Sequence, residues 1–273
     1  MTDKNLALRK AVNFAIANNE IEGHKFTEEE KADLEKIACG EMTFEELKEK
    51  TDRKFAQYQI DHPGWFASKD KPSNFEVEHQ DPLCYIGTHV LINKVDTTDY
   101  QKLQEFERLQ TVARQGQLII NPVKGNLGLK HLLEIHGHLF QDVYDWAGQV
   151  RTCYLSKPGT NFCYPQHINS AANEIFIQLK KDNYFQGLDF DKFSEKVGAL
   201  WGDINHLHPF REGNGRSTRE FLREVALNAN YELNLDGIDP AYMVYASRES
   251  IGGNNKELTR IIKGHITSID FEF

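Results

Sequence analysis

Hydrophobic residues recur three and four positions apart along most of this chain, and that period predicts amphipathic α-helices. In the first part of the chain the helical stripes are short, and glycines and two Thr-x-x-Glu capping boxes separate them. The pattern predicts helices over 4–21, 27–38 and 43–58, followed by longer helices over 99–115, 128–146, 166–182, 190–207 and 215–229.

One segment interrupts the helical pattern. Residues 148–165 carry β-forming side chains around a Lys-Pro-Gly-Thr turn, which predicts a β-hairpin. The predicted fold class is therefore all-α, a helical bundle with one small β-hairpin. The three N-terminal helices are expected to pack on this body or on a partner, because helices so short bury too little apolar surface to be stable alone.

The composition narrows the classes of protein that fit. The chain of 273 residues carries 32 Lys and Arg against 41 Asp and Glu, a formal charge of −9, whereas proteins that bind nucleic acids directly usually present a positive face to the phosphates. No apolar run reaches the roughly 18 residues of a membrane span, and the N-terminus lacks a secretory signal. We therefore expect a cytoplasmic protein without direct nucleic-acid or membrane partners.

The cysteines and histidines give little reason to expect a zinc site. The four cysteines are widely spread without a C-x-x-C pair, which is typical of free thiols, and a Cys153–Cys163 disulfide is left as a minor alternative. His206 and His208 form an H-x-H pair, but on a helix these positions diverge by about 200°. Three further histidines follow helical stripes and are expected to be packing or surface residues: His131, His136 and His138.

The densest chemistry lies in 205–219, NHLHPFREGNGRSTR, between two apolar helical stripes. Pro209 should end the first helix at or before His208, and the Gly-Asn-Gly run 213–215 permits a tight loop before the second helix. Backbone N–H groups at a helix N-terminus, together with the helix dipole, favour anions. The segment therefore predicts a binding site for phosphate groups.

The side chains of this loop fit the same interpretation. Arg216 and Arg219 lie three apart, so both can approach a polyphosphate. Glu212 is a single carboxylate beside the expected phosphates, which is how proteins commonly hold Mg²⁺. His208 is a candidate general base because its ordinary pKa lies near neutral pH, and Phe210 is expected to fix the loop to the core.

The run from His208 to Arg219 resembles the signature of Fic-family enzymes, H-x-F-x-[DE]-G-N-G-R-x-x-R, with every fixed position present. The resemblance extends over about 84–263 and implies a Fic-type domain spanning 56–273. It implies a protein adenylyltransferase that moves AMP from ATP to a Ser, Thr or Tyr hydroxyl of a target protein. Bacterial gyrase and topoisomerase IV are candidate targets by the same resemblance, and delivery into another cell stays open.

The resemblance also implies a role for each residue of the motif. His208 would deprotonate the target hydroxyl, Glu212 would hold Mg²⁺, and Asn214 with the loop amides would bind the α-phosphate. The β-phosphate would be bound by Gly213, Gly215 and Arg216, and the γ-phosphate by Arg219, with Phe210 supporting this nucleotide site. The hairpin would be the target-binding flap of the family, with Ser156, Lys157, Gly159, Thr160 and Phe162.

Residues 18–23, NNEIEG, resemble the inhibitory helix of the small Fic antitoxin, [ST]-x-x-x-E-[GN], with Asn18 in the Ser/Thr position. The helical period places Asn18 and Glu22 on the face of the apolar stripe. Residues 1–55 are therefore expected to be an antitoxin-like segment in which Glu22 pairs with Arg219, so that ATP binds non-productively. Three alternatives remain at this point: transfer of another nucleotide, removal of AMP, or nucleotide sensing without catalysis.

Overall fold

The computed structural model describes residues 3–67, 81–157 and 160–269. The mainly helical prediction is confirmed. Ten helices occur in these ranges: α1 (Asp3–Glu20), α2 (Glu28–Cys39), α3 (Phe44–Asp61), α4 (Tyr100–Ile120), α5 (Leu129–Phe140), α6 (Ile168–Lys181), α7 (Phe190–Leu207), α8 (Asn214–Asn228), α9 (Pro240–Ile251) and α10 (Lys256–His265). Four short strands accompany them: β1 (Ser156–Lys157), β2 (Thr160–Asn161), β3 (Tyr231–Leu233) and β4 (Ile266–Ser268).

The strands form two antiparallel pairs, of which the sequence predicted only the first. In the flap hairpin Ser156 pairs with Asn161. The second pair joins β3 to β4 with Leu233 opposite Ile266. Helices α9 and α10 were also missed, although Asp239 caps α9 by accepting a hydrogen bond from the Tyr242 N–H. No helix in the described part of the chain is long and apolar enough to cross a membrane.

The residues divide into two compact units. The first contains 1–15, 26–121 and 138–147, and the second contains 16–25, 122–137 and 148–273. The predicted domains 1–55 and 56–273 stay a prediction, and the antitoxin-like segment contributes to both compact units. Its helices α2 and α3 belong to the first unit, while the predicted inhibitory residues belong to the second.

In the first unit, capping boxes start the antitoxin-like helices as predicted. Thr27 with Glu30 begins α2, and Thr43 with Glu46 begins α3, each with both reciprocal hydrogen bonds formed. Helix α3 packs on α4. A side chain at Gly116 of α4 would overlap the ring of Phe44, so glycine permits that close approach.

Helix α5 ends at Phe140, six residues before its predicted end. The chain then turns, and the Asp142 carboxylate accepts two hydrogen bonds from Arg114, at 2.5 and 3.0 Å. The buried Lys48 ammonium lies 3.3 Å from the same carboxylate. The apolar stripe continues through Val143 and Tyr144, both buried, so the hydrophobic pattern alone could not mark the end of the helix.

In the second unit, α7 is the central helix and packs against α6, α8, α9 and α10. Gly198 and Gly202 on α7 face Thr259 and Asn255, and a Cβ at either glycine would overlap those residues. The close packing fixes the C-terminal end of α7. That end is where the candidate site begins.

Candidate active site

The loop between α7 and α8 starts as the sequence predicted. Helix α7 ends at Leu207, and His208 adopts a left-handed conformation with φ 44° and ψ 61°. Its N–H still donates to the Ile204 carbonyl at 3.0 Å, but Pro209 has no N–H with which to continue the helix. Gly213 has φ 80°, whereas Asn214 already begins α8. The tight turn therefore needs one glycine with positive φ.

The Asn214 side chain closes this loop. Its Oδ1 accepts from the Phe210 N–H and its Nδ2 donates to the Phe210 carbonyl, both at 2.8 Å. The Phe210 side chain is 1% exposed and stacks on His136 with ring centroids 3.8 Å apart. Its ring thus packs in the core, as expected for a residue that fixes the loop.

His136 supports the loop from α5, where the sequence predicted only a packing or surface residue. Its Nδ1 accepts from the Gly148 N–H at 2.8 Å, and its Nε2 lies 3.0 Å from the Glu212 carbonyl. A backbone N–H can only donate, so the proton of the ring is on Nε2 and points at Glu212. Burial lowers the pKa of His136 to about 3, which keeps the ring neutral. The signal that could have indicated this supporting role is the presence of a histidine on the apolar stripe of α5.

Arg219 is the most constrained cation of the candidate site. Its side chain is 3% exposed, and its Nε donates to Asn18 Oδ1 at 2.6 Å. Its Nη2 donates to the Asn18 carbonyl at 2.9 Å and to Glu22 Oε1 at 2.6 Å. Asn18 Nδ2 in turn donates to the Arg216 carbonyl at 3.2 Å. The segment 16–25 therefore surrounds the Arg219 guanidinium with three acceptors.

The Glu22 carboxyl is ionised at neutral pH. Burial alone would raise its pKa, but the positive charges of Arg219 and Arg216 outweigh this effect and lower the pKa to about 2. The carboxylate also lies against the first turn of α8. A Cβ at Gly215 would overlap Glu22 Oε1, so the contact depends on glycine at that position.

Arg216 and Arg219 take different directions, because three residues on a helix are offset by about 60°. The Arg216 guanidinium is buried, and its Nη2 lies 3.8 Å from Glu212 Oε1. Glu212 Oε1 also accepts from the Gly213 N–H at 2.9 Å. The Glu212 side chain is 48% exposed. A half-exposed carboxylate beside an anion-binding helix terminus fits Mg²⁺, which keeps most of its waters and takes one or two carboxylates.

A cavity of about 160 Å³ adjoins the loop within the second unit. Helix α9 contributes Met243 and Ser247 to its wall, two residues that the sequence did not indicate. The predicted site residues that line it are Glu22, Thr160, Phe162, His208, Asn214, Gly215 and Arg219. Other predicted residues lie near this cavity without forming its described wall: Asn18, Phe210, Glu212, Gly213 and Arg216. The candidate base His208, Arg219 and the predicted inhibitory residue Glu22 therefore line the same cavity.

The flap is a minimal hairpin. Phe162 does not point outward as a target contact would; it is buried and stacks on the His208 ring with centroids 3.7 Å apart and planes 16° apart. Ser156 is exposed, and only the backbone of Lys157 is described. Gly159 lies outside the described residues. Arg151, just before the flap, also contacts this region, and no sequence pattern indicated this role.

The comparisons with known proteins agree with this geometry. Residues 126–226 match the Fic/DOC family, and residues 9–54 match Antitoxin VbhA. The probable protein adenylyltransferase y4lH of Sinorhizobium fredii is 38% identical over 67% of this chain and 95% of that protein. The probable protein adenylyltransferase Fic of Escherichia coli is 32% identical over 67% of this chain and 91% of that protein.

A longer relative and two solved structures extend the comparison. Protein adenylyltransferase VbhT of Bartonella schoenbuchensis is 35% identical over 68% of this chain, which spans only 39% of VbhT. BepC of Bartonella tribocorum with bound AMPPNP has a TM-score of 0.63 and 24% identity, covering 68% of this chain and 96% of that one. A Fic domain of Bartonella quintana with bound ADP has a TM-score of 0.64 and 23% identity, covering 68% and 94%. This chain belongs to the Fic/DOC family and carries an N-terminal region like the antitoxin VbhA.

Proposed function

We propose that this chain is a protein adenylyltransferase that transfers AMP from ATP to a hydroxyl side chain of a target protein. The observation that carries the proposal is the shared cavity of His208 and Arg219, built by a signature run with every fixed position present. The names of the relatives in Sinorhizobium fredii and Escherichia coli support the same activity.

In the proposed reaction the target hydroxyl oxygen attacks the α-phosphorus of ATP. The new O–P bond forms as the bond between the α-phosphorus and the bridging oxygen breaks, and pyrophosphate leaves. His208 accepts the hydroxyl proton. The reaction needs alignment and charge neutralisation more than covalent help from the protein, which is the chemistry that a rigid loop and a helix terminus supply.

The other residues of the loop are proposed to bind the phosphates and to neutralise their charge. The N-terminal amides of α8 and the helix dipole favour the α- and β-phosphates next to Gly213 and Gly215. Arg216 and Arg219 add positive charge. Glu212 would hold Mg²⁺, which when bound neutralises phosphate charge during the departure of pyrophosphate.

The antitoxin-like segment is proposed to restrain this reaction. Glu22 and Asn18 accept the three hydrogen bonds that the structure describes for the Arg219 guanidinium. A γ-phosphate would compete with them for the same guanidinium. ATP would then bind without its full set of phosphate contacts, and the α-phosphorus would lie out of line with the target hydroxyl.

The flap is proposed to receive the target. Two-residue strands leave main-chain groups available for pairing with an extended target segment by strand addition. Ser156, Lys157 and Thr160 would form this edge, and Gly159, which lies outside the described residues, stays a predicted target contact. Gyrase and topoisomerase IV are the first purified targets to test, with a cytoplasmic site of action and no direct nucleic-acid contact expected.

The decisive experiment uses α-labelled ATP and Mg²⁺ with purified gyrase, topoisomerase IV and a bacterial lysate. The Glu22→Gly variant should label a protein that the parent chain labels weakly, and the added His208→Ala change should abolish the label while ATP binding persists. ATP bound by Glu22→Gly without any covalent product would contradict the proposal and favour nucleotide sensing. Parallel reactions with labelled UTP and GTP, and with AMP-modified target, distinguish other nucleotides and AMP removal.

A further inference from the structure

Arg151 makes contacts that go beyond holding the hairpin in place. It is 4% exposed, and its Nε donates to the His208 carbonyl at 2.7 Å. Its Nη1 donates to the Cys153 carbonyl at 2.7 Å and its Nη2 to the Cys163 carbonyl at 2.5 Å. One planar guanidinium thus binds the candidate base and the two chain segments that flank the flap.

Backbone hydrogen bonds reinforce the same junction. The Arg151 N–H donates to the Pro209 carbonyl at 2.8 Å, and the Cys163 N–H donates to the His206 carbonyl at 3.0 Å. Both segments that lead into the flap are therefore attached to the end of α7. The flap and the loop that carries His208 share one set of anchors.

His208 needs such an anchor because its backbone conformation is unusual. A left-handed φ of 44° is disfavoured for a residue with a Cβ. The carbonyl of a residue at this position has left the helical hydrogen-bond ladder, and the Arg151 Nε–H satisfies it. The flap acts on the other end of the residue, since the Phe162 ring stacks on the imidazole.

We propose that Arg151 is a positioning residue that holds the backbone of His208 and both ends of the flap in one fixed arrangement, so that target alignment and base orientation depend on each other. The kinetic part of this inference rests on the proposed transfer reaction. Lysine cannot replace the arginine, because an ammonium lacks the planar fork that reaches three separate carbonyls.

The test compares Arg151→Lys with Arg151→Ala in the full-length Glu22→Gly chain. Arg108→Lys is the matched control, because Arg108 is a largely covered arginine, with its side chain 12% exposed, that pairs with Glu30 in the first unit. We expect Arg151→Lys to lower kcat about 100-fold, the cost of a misplacement near 1 Å. The KM for ATP and the Kd for α,β-methylene-ATP should stay within about twofold, since the residues 212–219 are unchanged.

Two further measurements do not require transfer. Hydrogen exchange of the flap amides, including Cys163, should become faster in Arg151→Lys, and the imidazole NMR signals of His208 should shift; Arg108→Lys should change neither. In Arg151→Ala, millimolar guanidinium should restore part of kcat and part of the flap protection, without affecting the control. If Arg151→Ala does not fold, the measurements on Arg151→Lys alone test the positioning role.

The outcomes separate this inference from the proposed function. Absence of transfer in the Glu22→Gly parent would overturn the proposed function, whereas the exchange and NMR measurements would still report on Arg151. Unchanged flap exchange and unchanged His208 signals in Arg151→Lys would overturn the positioning role. An equal fall in kcat and in nucleotide affinity would also overturn it, because that result indicates general damage to the site.

Discussion

At the scale of single residues, Asn18 gives the antitoxin-like segment a hydrogen-bond acceptor that a Ser or Thr hydroxyl would place differently. Its amide oxygen reaches Arg219 Nε, and its amide nitrogen donates to the carbonyl of Arg216. The side chain is 1% exposed, so these bonds replace water rather than compete with it. We therefore expect Asn18 to add to the effect of Glu22.

Replacing Asn18 by Ala should weaken the hold on Arg219 and raise the transfer rate, by less than Glu22→Gly does. Hydrogen bonds to a charged group contribute about 1.5–3 kcal/mol, which corresponds to a rise of roughly tenfold or more. The measurement is the rate of labelling from α-labelled ATP. Asn19→Ala, at the neighbouring and equally buried amide, controls for loosening of α1; the same rise in both variants would contradict the prediction.

The pH dependence of inhibition follows from the lowered pKa of Glu22. A carboxyl whose pKa falls from 4.5 to about 2 stabilises the arrangement in which Glu22 pairs with Arg219 at pH values above 4.5. This effect is lost as the pH falls towards 2. The ratio of the Glu22→Gly rate to the parent rate should therefore be constant between about pH 6 and pH 8.5. A ratio that falls towards one as the pH drops to 6 would contradict the prediction that Glu22 stays ionised over this range.

His136→Phe should destabilise the loop while it keeps the stacking on Phe210. The change removes one hydrogen bond each from the Gly148 N–H and the Glu212 carbonyl, and losing such a bond at a partly buried group costs about 1–3 kcal/mol. We expect the free energy of unfolding to fall by about 2–4 kcal/mol in urea titrations at pH 7.5. The buried His136 has a lowered pKa, so its contribution declines as the pH falls below 6.5, and the difference should be smaller at pH 5.

His138→Phe, on the same helix, is the control for the His136 experiment. It should lower the free energy of unfolding at pH 7.5 by less, because it keeps the hydrogen bonds of His136 to the Gly148 N–H and the Glu212 carbonyl. Burial lowers the pKa of His138 as well, so the two variants are compared by the size of the loss at pH 7.5. An equal loss in both variants would indicate a general effect of phenylalanine in α5.

At the scale of elements, the turn after α5 depends on charge as much as on apolar packing. Asp142 faces both Lys48 of α3 and Arg114 of α4 within the first unit. These cations pull the Asp142 carboxyl pKa below its usual value, against the opposing effect of burial. The turn therefore joins two helices through one carboxylate.

Asp142→Ala should lower the free energy of unfolding by about 3 kcal/mol, because it leaves Lys48 and Arg114 without this buried partner. Chemical denaturation followed by circular dichroism measures the change. Asp145→Ala is the matched control, since Asp145 is 88% exposed beside Lys94, and it should change stability by less than about 1 kcal/mol. Similar losses in the two variants would contradict the assigned role.

The elements also show what local sequence could predict. Capping boxes fixed the starts of α2 and α3, and Pro209 fixed the end of α7, because these signals act within a few residues. The predicted end of α5 was wrong. The Asp142 carboxylate just beyond the observed end pairs with Arg114, which lies far away in the sequence. The contacts of Arg151 and the pairing of β3 with β4 likewise join positions far apart in the chain, and no local pattern marks them.

At the scale of the whole molecule, the antitoxin-like region is divided between the two compact units. Helices α2 and α3 pack within the first unit, where the Glu30–Arg108 ion pair joins α2 to α4. Residues 16–25 belong to the second unit and contact Arg219. The candidate nucleotide site is thus complete within the second unit, including the residues proposed to restrain it.

Gly215 lies between Glu22, which is proposed to restrain the reaction, and Arg219, which is proposed to bind the γ-phosphate. This position limits the substitutions that the protein can accept there. Any larger residue there would displace the Glu22 carboxylate, yet its Cβ would also overlap Nη1 of Arg219, the side chain proposed to bind the γ-phosphate. Hyperactive clones from a random library should accordingly carry changes at Glu22 and never at Gly215. A substitution at that glycine would therefore abolish the proposed transfer activity in the same step that removes the proposed restraint.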